Sequence, residues 1–102
     1  MNPTNINLND FKEKISSKVH VIDFFAEWCG PCNIFAPIFE EVANEFSDIN
    51  FMKIDSDASP ELCQEFNVMS LPTIVIFKDG NEVFRHTGIL NKEKFTEVLN
   101  KL

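Results

Sequence analysis

The sequence predicts an α/β fold in which helices cover both faces of a central mixed β-sheet. Strand-like apolar runs alternate with segments of helical periodicity along most of the chain, which is typical of parallel strands. Near the C-terminus, two strand-like runs are joined by Asp79-Gly80, a dipeptide typical of a tight antiparallel hairpin. The 102 residues are predicted to form one domain, 1–102, because no linker, repeat or low-complexity tract divides them.

The first part of the chain predicts a helix, a strand and a second helix. Asn7 or Asn9 can cap a first helix whose apolar residues recur at spacings of three and four. In the run 19–26, apolar residues occupy both odd and even positions, which fits a central strand buried on both faces. Residues 31–47 repeat apolar side chains with helical spacing, although Pro37 removes one intrahelical hydrogen bond and predicts a kink.

The rest of the chain predicts three strands and two helices. Residues 50–55 form a strand, and a short helix follows over 59–66, opened by a Ser-Pro-Glu sequence typical of a helix N-terminus. Residues 73–77 and 82–87 form the hairpin, and a last helix begins at about Lys92. The predicted sheet is therefore flanked by four helices.

Two cysteines lie where the central strand ends and the second helix begins, in Trp28-Cys29-Gly30-Pro31-Cys32. Two residues between cysteines at a helix start place their Cα atoms roughly 5 to 6 Å apart, within the range of a disulfide. The free N–H groups and positive dipole end of the helix lower the pKa of the first thiol. The spacing therefore indicates redox chemistry, with Cys29 as the attacking nucleophile.

Composition argues against several other classes of protein. No stretch approaches the ~18 apolar residues of a membrane span, so no membrane partner is expected. Nine basic and sixteen acidic residues give a net charge of −7, which repels phosphate backbones and disfavours nucleic acid. Three cysteines are too few for a disulfide-stapled secreted scaffold. Residues 1–7 lack the basic and apolar regions of a secretory signal, and we expect a cytoplasmic protein.

Several segments together resemble one family. They are Val21 to Cys32, Ala36-Pro37, Lys53-Ile54-Asp55, Leu71-Pro72-Thr73, Gly80 and Gly88. The chain resembles the thioredoxin family nearly end to end. A C-x-x-C motif alone would be weak evidence for the family, but its combination with an upstream Asp and a downstream Pro-Thr is specific. The resemblance implies the thioredoxin fold, a four- or five-stranded mixed sheet with the dithiol in a loop at its edge.

The resemblance also implies an activity, that of a general protein-disulfide reductase. Cys29 would attack a disulfide of an oxidised protein substrate, and Cys32 would then attack Cys29, leaving an internal disulfide. A thioredoxin reductase, usually an NADPH-dependent flavoprotein in this family, would reduce that disulfide again. Apart from the redox-active Cys29–Cys32 disulfide no cofactor and no metal is expected, and we expect a monomer that takes part in cell redox homeostasis.

An aspartate within the apolar run 19–26 is unusual, because a buried carboxylate is costly unless it is paired or protonated. Asp23 is therefore expected to have a raised pKa, the alternative being a side chain that points into solvent at the strand end. The resemblance implies that Asp23 accepts the Cys32 proton through water and that Lys53 tunes the carboxylate electrostatically. Phe25 stands where Trp is frequent in the family, a difference expected to alter fluorescence more than chemistry.

The resemblance further implies a docking surface beside the dithiol. The Leu71–Pro72 bond would be cis, and the Leu71 backbone would pair with an extended substrate segment as a short added strand. The apolar surface would comprise Trp28, Gly30, Pro31, Ile34, Leu71, Pro72, Gly88 and Ile89. For Ile34 and Ile89, packing in the core is the alternative.

Three other functions compete with disulfide reduction. Cys29, Cys32, Cys63 and one His would complete a tetrahedral zinc site, although no second C-x-x-C supports it. The fold could serve as a binding module with incidental thiols. An oxidase or isomerase of the protein-disulfide-isomerase type usually carries His within the dithiol motif, which this chain lacks. Cys63 is most simply a buried apolar thiol, with a regulatory or dimer-forming role as the alternative.

Overall fold

A computed structural model describes residues 7–102. Residues 1–6 lie outside the described residues, and they make up most of the segment in which the sequence shows no secretory signal. The elements in the described part are α1 (Leu8–Lys14), β1 (Val19–Phe25), α2 (Gly30–Glu45), β2 (Asn50–Asp55), α3 (Pro60–Glu65), β3 (Thr73–Lys78), β4 (Asn81–Thr87) and α4 (Lys92–Asn100). All eight agree in type and order with the elements that the sequence predicts.

The four strands of the described chain form one mixed sheet in the order β2-β1-β3-β4. β1 pairs with β2 in parallel, while β1 with β3 and β3 with β4 are antiparallel. Asp79 has φ 52° and Gly80 has φ 86°, the two positive values that a type I′ hairpin turn requires. The predicted mixed sheet is confirmed. Because β1 and β2 end where β3 begins, the loops that follow β1 and precede β3 meet at one edge of the sheet.

The helix ends follow local rules of capping. Asn7 caps α1 and Asn91 caps α4, each side chain accepting a hydrogen bond from the backbone N–H three residues further on. α2 continues through Pro37 and ends at Glu45, short of the predicted residue 47, and the kink stays a prediction. Asn67, with φ 55°, follows the end of α3. Across residues 7–102, no helix combines the length and apolarity that a bilayer span requires.

Two apolar clusters cover the two faces of the sheet. One packs α1 and α3 against it and contains Phe11, Ile15, Ile22, Phe24, Met52, Ile54, Leu62, Val75 and Phe77. The other packs α2 and α4 against the opposite face and contains Val21, Phe35, Phe39, Val42, Ile74, Ile76, Leu90, Phe95 and Leu99. β1 is thus buried on both faces, as predicted. Leu102 lies beyond the end of α4 and is exposed.

Candidate active site

The dithiol lies at the sheet edge where β1 leads into α2. Cys29 and Cys32 form a disulfide, with their Cα atoms 5.2 Å apart. Cys29 is the N-cap of α2, and its Sγ accepts a hydrogen bond of 3.2 Å from the backbone N–H of Cys32. Once the disulfide is reduced, this N–H and the helix dipole favour a thiolate on Cys29. The pairing of the two cysteines that the sequence predicts is confirmed.

A cleft of about 450 Å³ opens onto this dithiol. Its walls are formed by Trp28, Cys29, Ser56, Pro60, Cys63, Val68, Met69, Ser70 and Leu71. Cys29 is 5% exposed and Cys32 is 3% exposed, and Cys29 is the member of the pair that lines the cleft. A molecule entering the cleft therefore meets Cys29 first.

Trp28 places a large apolar ring beside the cleft. Its side chain is 72% exposed, and its indole N–H donates a hydrogen bond of 2.8 Å to Oδ2 of Asp57. The backbone N–H of Asp57 in turn donates to Oδ1 of Asp55, at 3.0 Å. This chain of contacts fixes the orientation of an otherwise free ring. The sequence carries no signal for it, because Asp57 is 29 residues from Trp28.

Met69 is a second exposed apolar side chain at the cleft, and the sequence analysis did not identify it. The residue is 92% exposed and lies two positions before Leu71. The sequence carries no clear signal for this exposure, because Ser70 and Leu71 lie in bends rather than in a strand whose alternation could be followed. The cleft therefore has two large, exposed apolar groups at its rim, Trp28 and Met69.

The loop before β3 lies against the dithiol. The Leu71–Pro72 bond is cis, as the resemblance implied. Leu71 packs against the cluster formed by Phe25, Ala26, Cys29 and Cys32. The N–H of Gly88 donates a hydrogen bond of 2.8 Å to the carbonyl of Pro72, and Gly88 has φ 95°. Leu71, Pro72 and Gly88 are thus brought together at the same edge of the sheet as the cysteines.

The remaining residues predicted for the docking surface differ in exposure. Gly30 and Pro31 are exposed at the start of α2. Ile34 is 60% exposed and Ile89 is 42% exposed, so the interpretation of these two as core residues is wrong. Pro72 lies immediately before the inner strand β3 and is buried, so the prediction that its ring is part of the exposed docking surface is wrong.

Asp23 is a buried carboxyl group on β1. The residue is 1% exposed, and neither carboxylate oxygen has a hydrogen-bond partner within the described residues. The interpretation of Asp23 as a solvent-directed side chain is wrong. Burial raises the pKa of Asp23 to about 7, and the positive charge of Lys53 acts in the opposite direction. A carboxyl group with this pKa can gain or lose a proton near neutral pH.

Lys53 lies opposite Asp23 in the parallel pairing of β1 and β2. Its Nζ is 4.7 Å from the centroid of the Phe25 ring, a cation–π contact. The sequence placed Lys53 near Asp23 only through the family resemblance, and it carried no signal for the contact with Phe25.

Cys63 is a free, half-buried thiol in the wall of the cleft, and it packs against the α1 and α3 side of the core. Cys63 is therefore less buried than the prediction of a buried apolar thiol implied. From residue 7 to residue 102, no group of three or more His, Cys, Asp or Glu side chains is placed to hold a metal ion. The zinc-site alternative thus finds no support in this arrangement.

The chain is similar to known proteins over nearly its whole length. A family model described as Thioredoxin matches residues 2–101. The chain is 40% identical over 96 residues to the thioredoxin of Chlamydia muridarum, covering 94% of each chain. It is 43% identical over 94 residues to the thioredoxin of Staphylococcus epidermidis, covering 91% of this chain and 90% of that one.

Solved structures agree with these matches. The oxidized form of mitochondrial thioredoxin 3 from Saccharomyces cerevisiae superposes with a TM-score of 0.86 at 34% identity, covering 94% of this chain and 91% of the other. The thioredoxin of Fasciola hepatica gives a TM-score of 0.81 at 37% identity, with 92% and 89% covered. Sequence and backbone similarity therefore extend over the same region, including the Cys29–Cys32 edge of the sheet.

Proposed function

Since the chain belongs to the thioredoxin family, we propose that this protein-disulfide oxidoreductase works mainly as a reductase of oxidised proteins. Dithiol–disulfide exchange at Cys29 and Cys32 is its chemistry. The observation that carries the proposed order of attack is that Cys29 caps α2 and lines the cleft, whereas Cys32 does not line it. The attacking sulfur is thus both the one that faces the cleft and the one that the helix N-terminus favours as a thiolate.

Reduction proceeds in two exchanges that together pass two electrons to the substrate. The Cys29 thiolate bonds to one sulfur of the substrate disulfide, and the other substrate sulfur leaves as a thiolate. The Cys32 thiolate then bonds to Cys29 Sγ, and the second substrate sulfur leaves. The substrate ends as a dithiol and the protein ends with the Cys29–Cys32 disulfide. The 5.2 Å Cα separation allows this bond without a large backbone movement.

Asp23 serves the second exchange as a general base. Cys32 is 3% exposed, so its proton has little access to bulk solvent. The buried carboxyl of Asp23, with a pKa of about 7, can take that proton near neutral pH, and a water molecule would relay it. Lys53 stabilises the ionised form of Asp23 and thereby limits the rise of its pKa on burial.

The substrate docks on the apolar surface around the dithiol. Trp28, Met69 and Ile34 are exposed there, and Leu71 lies in the cleft wall. We propose that Gly30, Pro31, Gly88 and Ile89 complete this surface and that the Leu71 backbone pairs with an extended substrate segment. Contacts to backbone and apolar groups suit a reductase that accepts many substrates, because they depend little on substrate side chains.

The cycle needs an external reductant for the Cys29–Cys32 disulfide. We propose that a thioredoxin reductase supplies it and that the protein acts in the cytoplasm as a monomeric electron carrier, contributing to cell redox homeostasis. No cofactor beyond the disulfide itself is proposed. The low number of cysteines supports a reducing compartment, where thiols persist and few structural disulfides form.

Reduction of insulin disulfides by dithiothreitol, followed by turbidity, tests the proposed function. The unsubstituted protein and the Cys63→Ser variant are expected to accelerate the reaction equally, because Cys63 takes no part in the exchange. Cys29→Ser is expected to be inactive. Mixed with insulin after the dithiothreitol has been removed, prereduced Cys32→Ser is expected to form a stable mixed disulfide, which Cys29→Ser cannot form. Trapping by Cys29→Ser instead would reverse the proposed order, and inactivity of the unsubstituted protein would favour the binding-module alternative.

A further inference from the structure

Phe25 lies between the dithiol and two ionisable groups, the buried Asp23 and the half-buried Lys53. It is the last residue of β1 and lies two positions after Asp23, so both side chains are on the same face of the sheet. The ring is 7% exposed and packs in one cluster with Ala26, Cys29, Cys32 and Leu71. Phe25 therefore has a fixed position between the cysteines and the neighbouring strand β2.

The face of this ring holds the ammonium group of Lys53. The Nζ atom lies 4.7 Å from the ring centroid, within the range of a cation–π attraction. Lys53 is also directly opposite Asp23 in the strand register. Even so, within residues 7–102 neither Asp23 oxygen has a hydrogen-bond partner, so the ammonium does not bind the carboxylate directly. The ammonium instead lies over the Phe25 ring.

Lys53 is the charge that acts on Asp23. From β2 it lowers the pKa of that carboxyl, against the larger effect of burial. From β3 the opposite residue is Ile74, which carries no charge. At the start of α2, Cys29 and Cys32 are joined in the disulfide and carry no charge. In the described part of the chain, Lys53 is therefore the charged side chain that acts on the pKa of Asp23.

We propose that Phe25 is a positioning residue: its ring holds the Lys53 ammonium close enough to stabilise the ionised carboxylate of Asp23. Without an aromatic ring, the ammonium is expected to move into water, because a lysine head group is strongly hydrated and its stem is flexible. Asp23 would then lose part of its stabilising charge. The inference concerns the same carboxyl that serves as the base in the proposed function, and it rests on that function for its catalytic meaning.

The test is an NMR titration of the Asp23 side-chain carboxyl in the oxidised protein. Phe25→Leu and Phe25→Met remove the aromatic face but keep an apolar side chain, and each is expected to raise the Asp23 pKa by about half a unit. Phe25→Trp keeps an aromatic face and is expected not to raise it. The second non-aromatic variant keeps the test decisive if the first does not fold.

A double-mutant cycle separates the cation from simple repacking. In a Lys53→Met background, Phe25→Leu is expected to leave the Asp23 pKa unchanged, because no ammonium remains to be released. An equal rise in both backgrounds would overturn the proposal, as would a non-aromatic variant that leaves the pKa unchanged or lowers it.

A second measurement shows whether the effect reaches the reaction. The rate at which Cys32 resolves a preformed mixed disulfide is measured against pH, and its midpoint in Phe25→Leu is expected to move to higher pH by the same half unit. The carboxyl titration uses no substrate, so it can refute the role of Phe25 while insulin reduction remains normal. Conversely, failure of insulin reduction would refute the proposed function while leaving the titration result valid.

Discussion

Removing the charge of Asp23 is expected to stabilise the folded protein at alkaline pH and much less at acidic pH. Burial raises the pKa of Asp23 from 3.8 to about 7 in the folded state, a difference of about three units. At about 1.4 kcal/mol per unit, the ionised carboxylate lowers the free energy of unfolding by about 4 kcal/mol once it is fully charged. Asp23→Asn keeps the shape of the side chain without its charge and is expected to recover most of that energy.

The sign follows from which state holds the proton. Between about pH 4 and pH 7, the unfolded chain has released the Asp23 proton while the folded protein keeps it. The stabilisation that the protonated group provides relative to the charged one is complete below pH 4 and is lost as the pH rises through 7. The gain from Asp23→Asn is therefore expected to be small at pH 4 and close to its maximum at pH 8.5.

Urea denaturation of the oxidised protein, followed by circular dichroism at these two pH values, measures the difference. Asp48→Asn, at an exposed position, is the matched control and is expected to change the free energy of unfolding by less than about 0.5 kcal/mol at both. If the gain from Asp23→Asn were the same at pH 4 and pH 8.5, the carboxyl would not be carrying an energetic cost of burial, and its proposed role as a base near neutral pH would lose its basis.

Three further predictions concern packing, backbone and the cleft. Phe95→Ala removes a fully buried ring of the α2 and α4 cluster and is expected to lower the free energy of unfolding by about 3–5 kcal/mol in urea; a loss under about 1 kcal/mol would contradict this packing. Gly80→Ala, at φ 86°, is expected to cost about 1–2 kcal/mol in the same assay, whereas Gly30→Ala meets open space; equal effects would reject backbone strain as the cause. Asp57→Asn weakens the acceptor of the Trp28 indole N–H and is expected to change the emission of this single tryptophan and to raise KM for insulin roughly threefold; an unchanged spectrum would reject the anchoring contact.

The elements of the fold and the cysteine pair could be predicted because they depend on near neighbours in the sequence. Apolar periodicity separated helices from strands, and Asp79-Gly80 marked the hairpin turn that the positive φ values bear out. The Cys29 and Cys32 spacing at a helix start determines their separation whatever the rest of the chain does. The burial of Asp23 was also expected, because its neighbours in β1 are apolar on both faces.

These local patterns could not predict contacts between residues that are far apart in the sequence. Trp28 meets Asp57, and Lys53 meets Phe25, only because the sheet brings β1, β2 and the following loop to one edge. The exposure of Met69 likewise depends on how the loop before β3 lies over the cleft.

The sequence by itself determined the order of elements, the mixed sheet and the reactive pair, since spacing and periodicity act over a few residues. Only the tertiary structure decided which sulfur faces the cleft, that the Pro72 ring is buried, and which group holds the ammonium beside Asp23. Those outcomes depend on burial and on the field of neighbouring charges, and both arise when segments far apart in the chain pack together.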